Sequence, residues 1–111
     1  MINSKLAQAI AELSNSERLG TNRFVRCVVD VDTSTNLEDI TESWHALFRD
    51  LFGAEVLRSV ISGDGQHALT SMTNWSGGQS AILVIGRAQD GSHPNTDLMI
   101  VGSRGAAYYR E

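Results

Sequence analysis

The chain has 111 residues, of which 41% are hydrophobic and 20% are charged, and its formal net charge at pH 7 is −4. This length suits one domain with a single core, so we expect residues 1–111 to form one α+β domain. The negative charge argues against nucleic acid as a partner. No apolar run is long enough to cross a membrane, and the first residues lack the apolar core of a signal peptide. We therefore expect a cytoplasmic protein that does not act at a membrane.

Two helices are predicted in the first half of the chain. Asn3 or Ser4 can cap the first helix, whose narrow apolar stripe indicates a position on the protein surface. The second helix is marked by a capping box of Thr35 and Glu38, and Gly53 marks its end. Its apolar residues recur at steps of three and four, which makes it strongly amphipathic. They are Leu37, Ile40, Trp44, Leu47, Phe48, Leu51 and Phe52.

A strand is predicted between these helices, at residues 23–32. Alternate positions form a wholly apolar face, and the opposite face is mixed, as in a strand with one side on a core. The apolar face holds Cys27, the only cysteine of the chain, so we expect a buried thiol rather than a nucleophile. A single cysteine also excludes an intrachain disulfide.

Strands dominate the pattern after Gly53. They are predicted at residues 55–61, 67–75, 81–85, 98–101 and 106–110. Glycine-containing turns separate most of them, which favours antiparallel hairpins. The predicted fold is therefore α+β, with two N-terminal helices packed on one face of a mostly antiparallel sheet of four to six strands.

Two of these strands, 81–85 and 98–101, are apolar at every position, so each is expected to be buried on both faces. One helical layer covers only one face of a sheet. Either the sheet curls on itself, or a second copy packs sheet on sheet or edge to edge around a two-fold axis, with Ile82, Val84, Leu98 and Ile100 in the interface. The main functional prediction is accordingly a non-enzymatic interaction or assembly module that forms a homodimer through its sheet.

The alternative prediction is a domain that binds a small ligand, a nucleotide or another anion. Eight of the nine positive residues are arginines, and the planar guanidinium suits carboxylate or phosphate. Two carboxylates at the end of the first strand and a glycine-flanked Ser-Arg pair add polar groups. The predicted ligand residues are Arg26, Asp30, Asp32, Ser103 and Arg104.

The segment 97–105, Asp-Leu-Met-Ile-Val-Gly-Ser-Arg-Gly, resembles a strand-to-loop segment of the universal stress proteins, where a similar sequence precedes a nucleotide phosphate. Residues 29–34 and 52–56 resemble the opening strand with its loop and a helix end of that family. The resemblance implies a doubly wound, nucleotide-binding α/β fold. Such a fold requires a helix between the two apolar strands, and no helical pattern separates them, so no ligand residue is assigned through this family.

No motif in the chain indicates a metal, a cofactor or a catalytic residue. The three histidines, His45, His67 and His93, are about twenty residues apart and form no short ligand pair. His45 is expected on the solvated face of the second helix. Neither a nucleophile–base pair nor a cofactor loop is visible, so the sequence favours a protein that is not an enzyme, although distant residues can still converge in space.

Overall fold

A computed structural model describes residues 4–14, 19–32, 34–64, 66–88 and 95–110. It contains two helices and six strands in the order α1, β1, α2, β2, β3, β4, β5, β6. Their bounds are Ser4–Ser14 for α1, Asn22–Val31 for β1, Leu37–Phe52 for α2, Val56–Gly63 for β2, Leu69–Trp75 for β3, Ser80–Arg87 for β4, Thr96–Gly102 for β5 and Ala106–Arg110 for β6.

All six strands form one mixed sheet in the spatial order β2-β3-β4-β1-β5-β6. The central pair, β1 and β4, is parallel, and the other neighbours are antiparallel. The predicted fold class was therefore wrong. α2 connects two strands of the sheet, β1 and β2, rather than preceding the sheet with α1. The two hairpins after α2 then bring β4 beside β1 in the same direction. Local turn signals describe hairpins but carry no information on which distant strands become neighbours.

β1 has the alternation that its sequence predicts. Val25 and Cys27 are fully buried, and Val29 and Val31 are buried beside them. The buried position of Cys27 is confirmed, and burial, with a smaller contribution from Asp97, raises the pKa of its thiol far above the usual value. The thiol is therefore a core group and not a nucleophile.

α2 begins and ends at residues that satisfy its terminal backbone groups. The Asn36 side chain accepts hydrogen bonds from the backbone N–H of Glu38 (2.9 Å) and Asp39 (3.1 Å). The predicted cap, Thr35, was wrong, because its hydroxyl donates to Asp32 Oδ1 at 2.7 Å instead. Gly53 ends the helix as predicted, in a left-handed conformation with φ 60°.

α1 belongs to the core more than its narrow stripe suggests. Leu6 and Ile10 are both buried and pack in the same cluster as Trp44 of α2. A stripe of few residues is enough here because α1 lies against both α2 and β6.

The two helices cover one face of the sheet and leave the other open. Ile82 and Val84 lie on the open face and are half-buried, whereas their neighbours Leu83 and Ile85 lie under the helices. Since β2 and β6 are separate edges, the sheet does not curl into a closed barrel. No helix in the described part of the chain is long and apolar enough to cross a membrane.

Candidate functional site

A groove runs between α2 and the edge of the sheet. The buried stripe of α2 packs on β1 and β4, and the helix leaves β2 exposed along its whole length. Two cavities of about 270 and 230 Å³ lie in this gap, and both are bordered by Glu42 and His45. We call it the α2–β2 groove. Its lining residues are Glu38, Thr41, Glu42, His45, Ala46, Arg49, Glu55, Val56, Ile61, Leu69 and Trp75.

Hydroxyl groups lie under the groove in an otherwise apolar core. Ser71 and Thr73 of β3 point toward α2 and are almost fully buried. Their hydroxyls are hydrogen-bonded to each other at 3.3 Å, and Thr73 also bonds to Ser59 of β2 at 3.1 Å. This chain of hydroxyls satisfies the buried groups and connects the core to the edge strand.

His45 joins this network to the groove. Its Nε2 shares a hydrogen bond of 2.8 Å with the Ser71 hydroxyl, and its ring lies 6.4 Å from that of Phe48. The side chain is half-buried, and desolvation lowers the pKa of the imidazole. The neutral form is therefore favoured near pH 7, with Nδ1 left without a partner among the described residues.

A second polar atom without a partner belongs to Trp75, whose side chain borders the same groove. The Trp75 indole Nε1–H is buried and has no acceptor in the described part of the chain. Trp75 lines the cavity of about 230 Å³, and its ring packs on Phe52 at 5.6 Å. A buried donor without an acceptor is costly in free energy, so an oxygen atom of a ligand or of water would stabilise this site.

The rim of the groove carries charges of both signs. Glu38 and Glu42 lie on the first half of α2, and Arg49 and Glu55 lie at the far end. These four side chains form no ion pair with any described residue. The three glutamate carboxylates can therefore accept hydrogen bonds from a ligand's hydroxyl groups.

The predicted ligand residues do not share one site. Arg26 lies on the open face of the sheet, between Ile82 on β4 and Met99 on β5. Met72 and Tyr108 extend this row on either side, so that an exposed guanidinium is surrounded by apolar side chains. The guanidinium has no hydrogen-bond or ion-pair partner among the described residues. Arg26 as an anion-binding residue stays a prediction.

The two aspartates at the end of β1 have separate environments. Asp30 lies beside Gly86 on the open face. The Asp32 carboxylate accepts hydrogen bonds from the Thr35 hydroxyl and from the hydroxyl and backbone N–H of Ser34. These bonds, with that of Thr35 the largest, lower the pKa of Asp32. The carboxylate organises the turn into α2 and does not face Asp30.

Ser103 and Arg104 lie at the opposite end of β1. The Ser103 hydroxyl accepts a hydrogen bond from Thr21 N–H at 3.0 Å, and the Arg104 N–H donates to the Leu19 carbonyl. Thr21 and Asp32 flank the two ends of β1, so they are about 36 Å apart at about 3.3 Å per residue. The five predicted residues therefore cannot contact one small ligand.

Arg87, at the end of β4, is a further arginine whose guanidinium could bind an anion. Its Nη1 donates to the carbonyls of Asp32 (2.9 Å) and Thr35 (2.8 Å), and its Nε donates to the carbonyl of Gln66. Backbone carbonyls therefore occupy the guanidinium. It is a structural tie between two turns and not a free anion site.

The predicted interface residues divide between the two faces. Leu98 and Ile100 lie under the helices and are 1% and 0% exposed, so they cannot contact a partner together with Ile82 and Val84. The cause is the alternation of β5, which places Met99 and Val101 on the open face instead. Contact of Ile82 and Val84 with a partner stays a prediction.

His45 is the site residue whose environment the sequence did not reveal. It follows Trp44 and lies at the border of the buried stripe, where one residue can point to solvent or to a groove. The available signal was in β3, whose inward positions alternate as Leu69, Ser71, Thr73 and Trp75. Buried hydroxyls in a strand require hydrogen-bond partners from the element that covers them.

The described residues contain no cluster of three or more His, Cys, Asp or Glu side chains that could hold a metal ion. The imidazole of His67 pairs instead with the neighbouring Asp64 carboxylate at 2.5 Å, on the surface of the β2–β3 turn. Hydrogen bonds from His67, Gln66 and Ala68 lower the pKa of Asp64 strongly.

The fold is similar to those of solved oxidoreductases. An oxidoreductase from Pseudomonas syringae is 17% identical, with a TM-score of 0.70 over 94% of this chain and 32% of its own. GenD2 from gentamicin A biosynthesis, solved in complex with NAD, is 16% identical, with a TM-score of 0.71 over 94% of this chain and 36% of its own. The scyllo-inositol dehydrogenase from Lactobacillus casei is 18% identical, with a TM-score of 0.66 over 92% of this chain and 36% of its own.

The chain spans about a third to two fifths of the length of these structures. No protein-family model and no curated protein sequence matches it. At these identities the likeness shows the fold alone. The prediction of a non-enzymatic interaction module was nevertheless wrong, because the matched structures are oxidoreductases and dehydrogenases. The alternative, a small-ligand- or nucleotide-binding domain, agrees better with them.

Proposed function

We propose that this chain is a small-ligand-binding domain of an oxidoreductase and that its ligand is an uncharged molecule with several hydroxyl groups, bound in the α2–β2 groove. The observation that carries the proposal is His45, a neutral imidazole held by the buried Ser71 and bordering both cavities. The inositol substrate named for the dehydrogenase from Lactobacillus casei belongs to the same ligand class.

The groove offers hydrogen-bonding groups that match such a ligand. Glu42 lies one turn before His45 and borders the same two cavities, so its carboxylate can accept from a hydroxyl. The Trp75 ring borders the smaller cavity and adds aromatic surface to it. Ile61 and Leu69 provide apolar surface for the carbon skeleton.

The proposed role of His45 is to accept a proton from a ligand hydroxyl. A lowered pKa keeps the imidazole neutral at pH 7, which is the form that can accept a proton. The hydrogen bond to Ser71 fixes the ring orientation. In an alcohol dehydrogenation, such a residue would take the hydroxyl proton, while the hydrogen on carbon would leave as hydride to an acceptor that the rest of the oxidoreductase must supply.

The described residues do not fit a dinucleotide such as NAD. A dinucleotide fold binds pyrophosphate at a glycine-rich turn that leads from a strand into a helix. The nearest sequence match, Gly-Asp-Gly-Gln-His-Ala at 63–68, connects β2 to β3 instead. Glu38 and Asp39 in the first turn of α2 also repel phosphate. No step of the proposal uses a bound dinucleotide.

Ligand-dependent thermal unfolding and the NMR signals of the imidazole test this proposal. We expect myo-inositol and related cyclitols, titrated to high millimolar concentration, to shift the ring signals of His45 and raise the melting temperature. At about 100 times the dissociation constant, a ligand adds about 2.7 kcal/mol to the free energy of unfolding. H45Q should abolish the ring signals and weaken binding.

Arg26→Gln is the control, because Arg26 lies on the opposite face of the sheet. It should bind cyclitols as the parent protein does. A melting temperature that rises with NAD but with no cyclitol would contradict the proposed site. So would a result in which R26Q loses cyclitol binding and H45Q keeps it. The cytoplasmic location and the organisation of residues 1–111 as one domain stay predictions.

A further inference from the structure

The edge strand β2 is exposed along its whole length and on both faces. Its apolar side chains are among the most exposed in the described part of the chain: Leu57 is 71% exposed, Ile61 56%, Val60 50% and Val56 45%. One side of the strand pairs with β3, and no described residue pairs with the other side. Its outward N–H and C=O groups are therefore available to another strand.

The opposite edge of the sheet does not have this character. β6 has five residues, lies against α1 and ends at Arg110, which pairs with Asp97 at 3.2 Å. β2 has eight residues, one charged side chain, Arg58, and one irregularity near Val56. Proteins usually protect long edge strands with charges, proline or bulges, because an unprotected edge recruits another strand.

We propose that β2 pairs antiparallel with β2 of a second copy of this chain. A strand edge is self-complementary under a two-fold axis normal to the sheet, because each copy presents the same alternation of donors and acceptors. This axis leaves the helices of both copies on the same side, so that each face of one β2 continues into the same face of the other. The result is a continuous twelve-stranded sheet, counting the six strands of each copy.

Charge selects the register of this pairing. An axis at Val60 centres the regular part of β2, places Ile61 opposite Ser59 of the second copy, and separates the two Arg58 positions by four residues. That spacing is about 14 Å at about 3.4 Å per residue. An axis at Ser59 halves this offset to about 7 Å, and with the lateral strand spacing of about 4.8 Å the two positions are about 8 Å apart, close to the Debye length of about 8 Å at physiological ionic strength. The repulsion favours the axis at Val60.

The pairing would also complete the outer wall of the α2–β2 groove. Ile61 and Val56 form this wall and are 56% and 45% exposed in a single chain. Strand pairing buries Ile61 against the second copy. The inference does not depend on the proposed function, since the exposed edge exists whatever the groove binds.

Single cysteine substitutions test both the contact and its register. The native Cys27 is buried and should not react. A residue on the axis faces its own counterpart at about 4.5–5.5 Å between Cα atoms, within the disulfide range of about 4.4–6.8 Å. V60C should form a covalent dimer on mild oxidation. M72C is the matched control: Met72 is Val60's direct neighbour on β3 and is similarly exposed, but lies one strand from the edge.

Sedimentation measures the same contact without cross-linking. We expect the parent protein to dimerise, V60K to raise the dimer dissociation constant by at least about tenfold, and M72K to leave it unchanged. Circular dichroism checks that both variants fold. A parent protein that stays monomeric at high micromolar concentration would overturn the proposal. So would a dimer that M72K dissociates and V60K does not, since this pattern indicates packing of the open faces.

Discussion

Replacing Ser71 by alanine tests whether the hydroxyl network under α2 stabilises the fold. Ser71 is 1% exposed, and its hydroxyl bonds to His45 at 2.8 Å and to Thr73 at 3.3 Å. S71A removes one oxygen atom and leaves a cavity too small to hold another side chain. The expected destabilisation therefore comes from the hydrogen-bond partners that remain.

The two partners respond differently to this substitution. Thr73 keeps its hydrogen bond to Ser59, so it retains a partner. His45 loses the partner of Nε2 on the buried side of its ring. An unsatisfied buried polar group costs about 1–3 kcal/mol, and the partial exposure of His45 to the groove places this case near the lower end. We expect S71A to lower the free energy of unfolding by about 1–1.5 kcal/mol.

Urea unfolding at pH 7.5 measures this difference, with Ser62→Ala as the control. Ser62 is an exposed serine on β2, and its substitution should change the free energy of unfolding by less than about 0.5 kcal/mol. The unfolding slope should be unchanged in both variants. If S71A is as stable as S62A, the bond between Ser71 and His45 contributes nothing and the network does not hold the imidazole.

Four other measurements address the remaining elements. Burial lowers the pKa of His45 below its usual value of 6.5, so the unfolded chain takes up the proton at a higher pH than the folded chain does. The free energy of unfolding should therefore fall as the pH drops below about 6.5. H45Q should flatten this dependence in urea titrations between pH 7 and 5. Asn36→Ala should cost about 1 kcal/mol of thermal stability through the lost N-cap, and Asn36→Asp should restore it. Gly53→Ala should cost about 1 kcal/mol from its left-handed backbone alone, because no atom lies within 4 Å of the added methyl group, whereas equal stability would show that the cap relaxes. If Arg26 binds organic anions, their effect on the melting temperature should disappear in R26Q and persist in R104Q, and the reverse pattern would refute the prediction.

The sequence predicts those helices and strands that are determined by residues close together in the chain. The alternation of β1 and the stripe of α2 determine which side chains are buried, and Gly53 stops α2 because few other residues adopt its conformation. The parallel pairing of β1 with β4 has no local cause. It depends on α2 crossing the sheet and on two hairpins returning the chain, and each of these steps can end at several neighbours.

The groove shows the same limit at the level of side chains. The sequence shows that His45 borders the apolar stripe of α2, but not where the helix lies on the sheet. The helix covers β1 and β4 and not β2, and this lateral position turns a surface histidine into a partly desolvated one. The predicted ligand residues show this too. Asp30 and Asp32 lie at one end of β1, and Ser103 and Arg104 lie at the other. Only the directions of β1 and β5 in the sheet reveal that separation.

The tie made by Arg87 has a mechanical consequence for the groove. One guanidinium connects the turn before α2, through Asp32 and Thr35, to the β2–β3 hairpin, through Gln66. These two segments lead directly into the walls of the groove's cavity of about 270 Å³, at Glu38 on one side and at Ile61 and Leu69 on the other. Hydrogen bonds from one side chain therefore hold the start of α2 and the β2–β3 hairpin together. Arg87 thus constrains this end of the groove without being one of its lining residues.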